Sequence, residues 1–291
     1  MATSGDTGVG SPDIGPIKTT ISDITTGTVG VGVNVNLEGV VAMSRKFLVS
    51  LTISTNSCLW GVFVSAPGLT ETAANTGILV ASYGTPATIP PGGTKAYCPI
   101  PPQTPAGDAI PEDVKPGDVL NVVGKTAYYL PASCASSGGS SVSGFQVSAA
   151  TQATKVGTAP LPAPHVLSGA EIAQLAAQSD KAFHDAWGGV KVRVENVTSV
   201  PQSGAFTDTY GAFYVSGDNL RVGSKVFYQG LLKATDPCRA GVSQPNPATT
   251  FTRVDGFAYL DFCTWSLEPN DKCADLVPPS SDCASATACV Q

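Results

Sequence analysis

The chain has few charged residues. Only 13 per cent of its 291 residues are Asp, Glu, Lys or Arg, and it has two histidines. The net charge of −6 is mild and no basic run occurs, so the electrostatic footprint of a nucleic-acid-binding protein is missing. We therefore expect no nucleic-acid partner.

Several familiar motifs are missing as well. No apolar run reaches the length of a membrane span. The sequence contains no GxSxG, HExxH, P-loop or strand-associated GxGxxG pattern, so it predicts neither an enzyme nor a cofactor. No cysteine belongs to a CxxC pair, and with only His165 and His184 available the common zinc sites are disfavoured. We expect no bound metal.

Cysteines are nevertheless numerous. Their spacing favours disulfides, whose connectivity the sequence leaves open. Disulfides require an oxidising setting, which indicates a periplasmic, cell-surface or extracellular protein whose leader has been removed, with a lipid anchor left open. The eight candidates are Cys58, Cys98, Cys134, Cys238, Cys263, Cys273, Cys283 and Cys289.

Abundant Gly, Pro, Ser, Thr and Val favour short strands and long turns, which predicts an all-β fold. The segment VKPGDVLNVVGKT (114–126) has a second copy, LRVGSKVFYQGLL (220–232). Residues 33–41 likewise match 190–198, and 60–65 match 210–216. Three matches in the same order indicate a duplicated domain, and we predict two tandem small β-barrels.

The composition divides the chain into five parts. We predict a disordered tether at 1–16, a first barrel at 17–157, a Pro-rich linker TAPLPAP at 158–164, a second barrel at 165–260 and a Cys-rich tail at 261–291. Disulfides and the packing of Trp265 and Leu267 would hold the tail. The segment 17–27 fits either a helical turn or an edge strand. Residues 86–116 form a Pro-rich insertion that Cys98 would tie down.

Alternation of apolar residues predicts ten strands, and the segment 168–185 predicts a helix. Ser168 is a candidate N-cap of that helix with Glu171 three residues later, and Gly188 and Gly189 would end it. The predicted strands are 31–42, 47–53, 58–66, 77–83, 118–130 and 144–149 in the first unit, and 190–200, 210–216, 224–233 and 251–260 in the second.

The order ISDITTGTVGVGVNVNLEGVV, WGVFV, GILV and VKPGDVLNVVGK resembles the OB-fold modules of secreted bacterial proteins, including modules that precede extracellular endonuclease/exonuclease/phosphatase-type nucleases. The segment around LSGAEIAQLAAQSDKAFHDAW resembles the link to a second such module. The resemblance covers about residues 17–260 and implies tandem OB-type barrels, a fold that hosts many unrelated functions. The Cys-rich tail and the Pro-rich insertion depart from the pattern, and no nuclease domain follows.

Four aromatic residues are candidates for ligand binding, because OB barrels stack ligands on aromatic side chains on one sheet face. Core packing is the alternative use of the same residues. The candidates are Trp60 and Tyr210, at equivalent places in the two copies, and Tyr128 and Tyr129 after the shared turn.

Two clusters contain side chains that could bind a metal ion or act in acid–base chemistry. Asp180 and His184 are four residues apart, with Asp185 adjacent, and a solvated helix end is the favoured interpretation. Glu268, Asn270, Asp271 and Asp275 offer oxygens suited to calcium. They lack EF-hand spacing, so a turn with solvated charges is favoured.

These observations predict a secreted or periplasmic, non-enzymatic binding protein with a protein or glycan partner. One alternative is a subunit of a fibre or surface layer that assembles with itself by strand addition, with 17–41 as donor and 77–83 as receiving edge. A second alternative is the accessory part of a secreted nuclease.

Overall fold

The computed structural model describes residues 15–52, 56–89, 91–94, 96–98, 106–129, 144–202, 204–208, 211–228, 248–261, 263–280 and 283. Within these ranges the chain is mostly β and forms two seven-stranded sheets. The predicted tether at 1–16 falls almost wholly outside them, as do Cys134, Cys238, Cys289 and Tyr210.

The first sheet closes on itself. Its strands are β1 (Ile17–Thr19), β2 (Asn34–Ala42), β3 (Phe47–Thr52), β4 (Ser57–Ser65), β5 (Gly77–Tyr83), β6 (Asp118–Tyr129) and β7 (Gly144–Thr158). β2 pairs with β6, β6 with β7, β7 with β5, β5 with β4, and β4 returns to β2. All of these pairings are antiparallel except that of β5 with β7.

The segment 17–27 contains both structures that its sequence allows. β1 pairs in parallel with β2, and helix α1 (Ile21–Thr25) follows at once. Thr20 caps this helix in a capping box with Asp23, which satisfies backbone N–H groups that a helix start leaves unpaired. Ile21 and Ile24 then enter the core of the first barrel.

The second sheet repeats the same plan. Its strands are β8 (His165–Val166), β9 (Lys191–Val200), β10 (Phe213–Val215), β11 (Leu220–Val222), β12 (Thr250–Asp261), β13 (Thr264–Glu268) and β14 (Leu276–Val277). β9 pairs with β10, β10 with β11, β11 with β13, β13 with β12, and β12 returns to β9. Here β11 and β13 are the parallel pair. When the five strands of each ring are counted in chain order, the third strand (β5 or β11) lies beside the fifth (β7 or β13).

The helix predicted for 168–185 is divided into α2 (Gly169–Ala176) and α3 (Lys181–Trp187). Ser168 caps α2 in the predicted capping box with Glu171, and Gly188 is the C-cap of α3. Asp180 accepts a hydrogen bond from the Phe183 N–H and so begins a new helix where the sequence pattern showed none.

The match between 114–126 and 220–232 does not correspond to equivalent structures in the two barrels. In the first barrel the residues after Gly117 form β6, whereas in the second the strand β11 precedes Gly223 and the residues after it form helix α4 (Lys225–Tyr228). The prediction of a strand at 224–233 is therefore wrong for 225–228. Gly117 is needed for its φ of +93°, but Gly223 is needed for space, because a Cβ there would lie 1.7 Å from Glu268 Oε1.

The second barrel also extends beyond residue 260. β13 completes its ring, and β14 pairs with β12. The sequence assigned these residues to a separate tail because β13 is short and its flanks are polar. Trp265 and Leu267 are buried in the second core, as predicted for the residues that hold the tail.

Two disulfides lie within the described residues. Cys58–Cys98 ties the Pro-rich insertion to β4, as predicted for Cys98, and Cys273–Cys283 closes a loop in the C-terminal segment. Cys263 is disulfide-bonded as well. These bridges are compatible with an extracellular or periplasmic location. No helix within the described ranges is both long and apolar enough to cross a membrane.

Candidate functional site at the junction of the two barrels

The two barrels share an apolar core in addition to their own cores. Phe63 on β4 stacks on Phe257 on β12 with ring centroids 4.3 Å apart, and Phe47 on β3 stacks on Phe63 with ring centroids 5.3 Å apart. Leu79 on β5 and Val226 on α4 belong to the same cluster. The outer face of β4 and β5 is therefore covered by the second barrel.

Close backbone contact accompanies this packing. A Cβ on Gly77 would lie 2.5 Å from the Gly189 carbonyl oxygen, and a Cβ on Gly189 would lie 2.8 Å from Ile78 Cα. The Asn75 N–H donates to the Ala186 carbonyl at 2.6 Å, and the Thr72 hydroxyl donates to the Lys191 carbonyl at 2.6 Å. Apolar burial and backbone hydrogen bonds together indicate a rigid junction.

A small cavity lies in this junction. Its volume is about 20 Å³, which is enough for one water molecule and far too small for a sugar ring or a base. Its walls come from both barrels and include Leu79, Tyr129, Phe145, Tyr259 and Trp265.

Two tyrosines connect the cavity to charged groups. Burial raises the pKa of Tyr129, and the nearby Tyr83 and Asp261 add to the effect. Burial also raises the pKa of Tyr259 well above its usual value, again with Asp261 contributing. Both phenols therefore remain neutral at physiological pH, and they offer hydrogen bonds rather than charge.

A buried ionic cluster lies beside these tyrosines. Arg221 Nη1 is 3.4 Å from Asp261 Oδ2 and 3.5 Å from Glu268 Oε1. Glu268 also accepts hydrogen bonds from the Ser266 hydroxyl at 2.6 Å and from the Lys225 N–H at 2.8 Å. Burial and the neighbouring Asp261 carboxylate raise the pKa of Glu268 to about 7.

No sequence motif singled out this cluster, although the strand pattern contains a weak signal of it. Arg221 stands between the buried Leu220 and Val222 on β11, so it points away from the barrel core, and Glu268 ends the strand WSLE. A charged residue that alternates with core residues on a short strand is ordinarily exposed. In the fold the Arg221 side chain instead contacts Asp261 and Glu268 and is buried.

The Asp180, His184 and Asp185 cluster is not the solvated helix end that was favoured. His184 is buried, its ring stacks on Trp265 at 4.2 Å, and its Nε2 lies 3.2 Å from the Leu175 carbonyl. Burial lowers the pKa of His184 and keeps the ring neutral. Asp180 caps α3, and Asp185 accepts a hydrogen bond from Tyr128, so the three residues do not converge on one ligand.

The calcium candidates also have internal partners. Asp275 Oδ2 accepts from the N–H groups of Asn270 and Asp271, and its Oδ1 pairs with Lys191 at 2.8 Å. Glu268 belongs to the Arg221 cluster. No group of His, Cys, Asp or Glu side chains among the described residues is arranged to hold a metal ion.

The predicted aromatic candidates do not converge. Trp60 is buried in the core of the first barrel. Tyr128 donates to Asp185 Oδ1 at 2.8 Å and carries Lys181 Nζ 4.6 Å above its ring, so it is engaged within the junction. Tyr129 lines the cavity, and Tyr210 lies outside the described residues.

The predicted receiving edge for strand addition is not an edge. β5 pairs with β4 over its whole length and with β7 through Leu79 and Val80, so the segment 77–83 lies inside the ring. The predicted donor is also largely in use, because β2 pairs with both β6 and β4.

The strands at the outer margins of both sheets are short, except for β3. β1 has three residues, and β8 and β14 have two each, whereas β3 has six and packs against α4. Short or covered margins are how β-proteins avoid pairing with other chains.

Exposed large apolar side chains gather at one end of the first barrel. Tyr83 ends β5, and the next residue, Gly84, donates its N–H to the Cys58 carbonyl at 2.9 Å. Thr88 pairs with Tyr97, and Cys98 is bonded to Cys58, which brings residues 88–89 and 96–98 to the same end. The exposed fractions are 59 per cent for Tyr83, 57 per cent for Ile89 and 51 per cent for Tyr97.

This aromatic end, defined by Tyr83, Ile89 and Tyr97, is a better binding candidate than the residues that the sequence selected. Tyr83 lies close enough to Tyr129 to affect the pKa of its phenol, so the aromatic end adjoins the junction. Comparison of the chain with protein-family models, with characterised proteins and with solved structures gives no match, so the function rests on this geometry alone.

Proposed function

We propose that this chain is a secreted or periplasmic, non-enzymatic binding protein built from two OB-type barrels. Two observations support the barrel type: each sheet forms a five-stranded ring, and in each ring the third strand lies parallel to the fifth, so that the connection between them crosses over. A five-stranded Greek-key barrel has this character. The proposed boundaries follow the predicted ones, with the second barrel extended to include β13 and β14.

The aromatic end of the first barrel is the proposed binding surface. The observation that supports it is the exposure of Tyr83, Ile89 and Tyr97 on segments joined by the Cys58–Cys98 bridge. Aromatic rings held on such a rigid base bind flat, partly apolar ligands at low entropic cost. The usual ligand face of an OB barrel is unavailable here, because the second barrel covers β4 and β5.

The proposed partner is an uncharged glycan. Sugar rings present C–H faces that pack on aromatic side chains, and their recognition needs no counter-charge. The chain as a whole has a mild negative charge and no basic run, which disfavours polyanionic partners. No metal or cofactor is required.

The test is calorimetric titration of the full chain with gluco-, manno- and chito-oligosaccharides. We expect binding to at least one of them and its loss in the double variant Tyr83→Ala, Tyr97→Ala. Tyr214→Ala is the matched control, because Tyr214 is a half-buried tyrosine on β10 of the other barrel. Equal affinity in the double variant and the wild type, or no binding to any oligosaccharide, would overturn the proposal.

Two further arms address the alternatives. Light scattering tests the structural-subunit hypothesis, which the short outer strands disfavour; large particles in native buffer would support it. A fluorescently labelled single-stranded oligonucleotide tests the nuclease-accessory hypothesis. Micromolar affinity that falls steeply with added salt would favour that hypothesis instead.

A further inference from the structure

Lys46 is buried at the corner between β2 and β3, although lysine is among the residues least often found fully buried. Its side chain is 3 per cent exposed. The ammonium faces the end of the Pro-rich insertion, where Nζ lies 2.6 Å from Asp108 Oδ2 and 3.0 Å from both Glu112 Oε2 and the Ile110 carbonyl oxygen. All of its named oxygen neighbours come from one short segment.

The surroundings of this pair are apolar. Lys46 Nζ lies 5.4 Å from the centre of the Trp60 ring, which belongs to the first core. The Asp108 side chain is completely buried, and burial raises the pKa of its carboxyl group. The Lys46 ammonium acts in the opposite direction and lowers the pKa of the Asp108 carboxyl group, but the effect of burial is larger.

The geometry points to a covalent link: we propose that Lys46 and Asp108 condense to an intramolecular amide, with Glu112 as the proton carrier. A desolvated lysine is a competent nucleophile, and a carboxyl group in a low-dielectric site favours the neutral acid that such a nucleophile attacks. The fold supplies proximity that the free side chains in water do not have.

The reaction needs no external reagent. Glu112 takes a proton from the Lys46 ammonium and passes it to the Asp108 carboxylate, and the neutral amine attacks Cγ of the resulting acid to form an N–C bond. The nitrogen of the tetrahedral intermediate then gives a second proton to Glu112, which passes it to the hydroxyl on Cγ. The C–O bond to that oxygen breaks, and the oxygen leaves as water. One ammonium and one carboxylate become one amide and one water molecule, and Glu112 ends in its original state.

Two backbone groups assist these steps. The Ile110 N–H donates to Asp108 Oδ1 at 2.7 Å and is placed to stabilise the negative oxygen of the tetrahedral intermediate. The Ala106 N–H donates to Glu112 Oε1 at 2.8 Å, which leaves Oε2 directed at Lys46. Glu112 is partly exposed, with 27 per cent of its side chain accessible, which gives the released water a way out.

The consequence is a second clamp on the first barrel. The amide would close a loop that contains the whole Cys58–Cys98 loop, and unlike the disulfide it would survive reduction. It would fix the Pro-rich insertion to the β2–β3 corner and so hold the base of the aromatic end. The inference stands on the Lys46 site alone and does not depend on glycan binding.

Intact-mass spectrometry of the reduced, denatured wild-type chain tests this proposal. We expect a mass lower by one water than the sequence mass, and a protease digest in which the peptide that contains Lys46 is joined to the peptide that contains Asp108. Asp108→Ala removes the acceptor carboxyl, and this variant should have its full sequence mass.

The joined peptides separate the amide from dehydration of an aspartate elsewhere. A wild-type mass equal to the full sequence mass would show that Lys46 and Asp108 form an ion pair only, and it would overturn the proposal. Loss of water at another site would overturn it as well. In the Glu112→Gln variant, a larger fraction of the protein than in the wild type should lack the amide. Condensation in that variant as complete as in the wild type would overturn the role of Glu112. The wild-type mass decides the matter even where a variant fails to fold.

Discussion

Phe63 and Phe257 stack across the junction with their ring planes 15° apart, so the side chain of one barrel completes the core of the other. Neither residue is exposed to solvent. The two barrels are thus held together by the kind of contact that holds a single domain together, rather than by a polar surface contact. This contact covers the outer face of β4 and β5.

We expect Phe257→Ala to destabilise the protein by about 3–5 kcal/mol, because it removes a fully buried ring and leaves a cavity between the barrels. Denaturant unfolding measures the loss. Tyr97→Ala removes an exposed aromatic ring and should change the free energy of unfolding by less than about 1 kcal/mol. Equal effects of the two substitutions would contradict the junction described here.

Gly223→Ala should lower the free energy of unfolding by about 1–3 kcal/mol, since the added Cβ would lie 1.7 Å from Glu268 Oε1 in a buried ionic cluster. Gly157→Ala is the control, because no atom lies within 4 Å of a Cβ at that position. We expect the control to unfold at nearly the wild-type denaturant concentration. A stable Gly223→Ala protein would show that the Glu268 side chain can move aside.

The Glu268 carboxyl group should make the stability depend on pH. Its pKa is raised in the fold from 4.5 to about 7, so between those values the folded chain holds a proton that the unfolded chain has released. Its contribution to the free energy of unfolding therefore falls as the pH rises from 4.5 to 7 and is constant above and below that window.

Glu268→Gln should remove this contribution, because the amide does not titrate. Denaturant unfolding at several pH values from 4 to 8 measures the slope for wild type and variant. Glu195→Gln, at an exposed position on β9, should leave the slope unchanged. An unchanged slope in Glu268→Gln would show that another group titrates in this window.

The cysteine count predicts a covalent link between the barrels. Cys58 pairs with Cys98, which leaves Cys134 without a partner before the linker if all eight cysteines are oxidised. We therefore expect Cys134 to bond to a cysteine of the second unit. After cleavage at a protease site inserted within 158–164, the denatured halves should stay together without reductant and separate with it.

A Cys134→Ala variant cut at the same place should separate without reductant, and it serves as the control. Clean separation of the nicked wild type without reductant would refute the link. Thiol titration of the intact denatured chain provides an independent check, since eight paired cysteines leave no free thiol.

The amino-acid sequence by itself determined the β class, most strand positions, the capped helix start at Ser168 and the burial of Trp265 and Leu267. These features follow from local rules: alternation of apolar side chains, capping groups and glycine at turns act over a few residues. The strand predicted at 77–83 matches β5 residue for residue for this reason.

Only the tertiary structure decided which strand faces are exposed to solvent and which are buried in a core or in the junction. Trp60, Tyr128 and Tyr129 are all aromatic residues of predicted strands, yet the first lies in the core of the first barrel and the other two lie at the junction, where residues of both barrels meet. The same packing turned residues 225–228 from a predicted strand into a helix against β3, and it buried Arg221 and Glu268 together. Such outcomes depend on contacts between residues far apart in the chain, and local patterns do not carry that information.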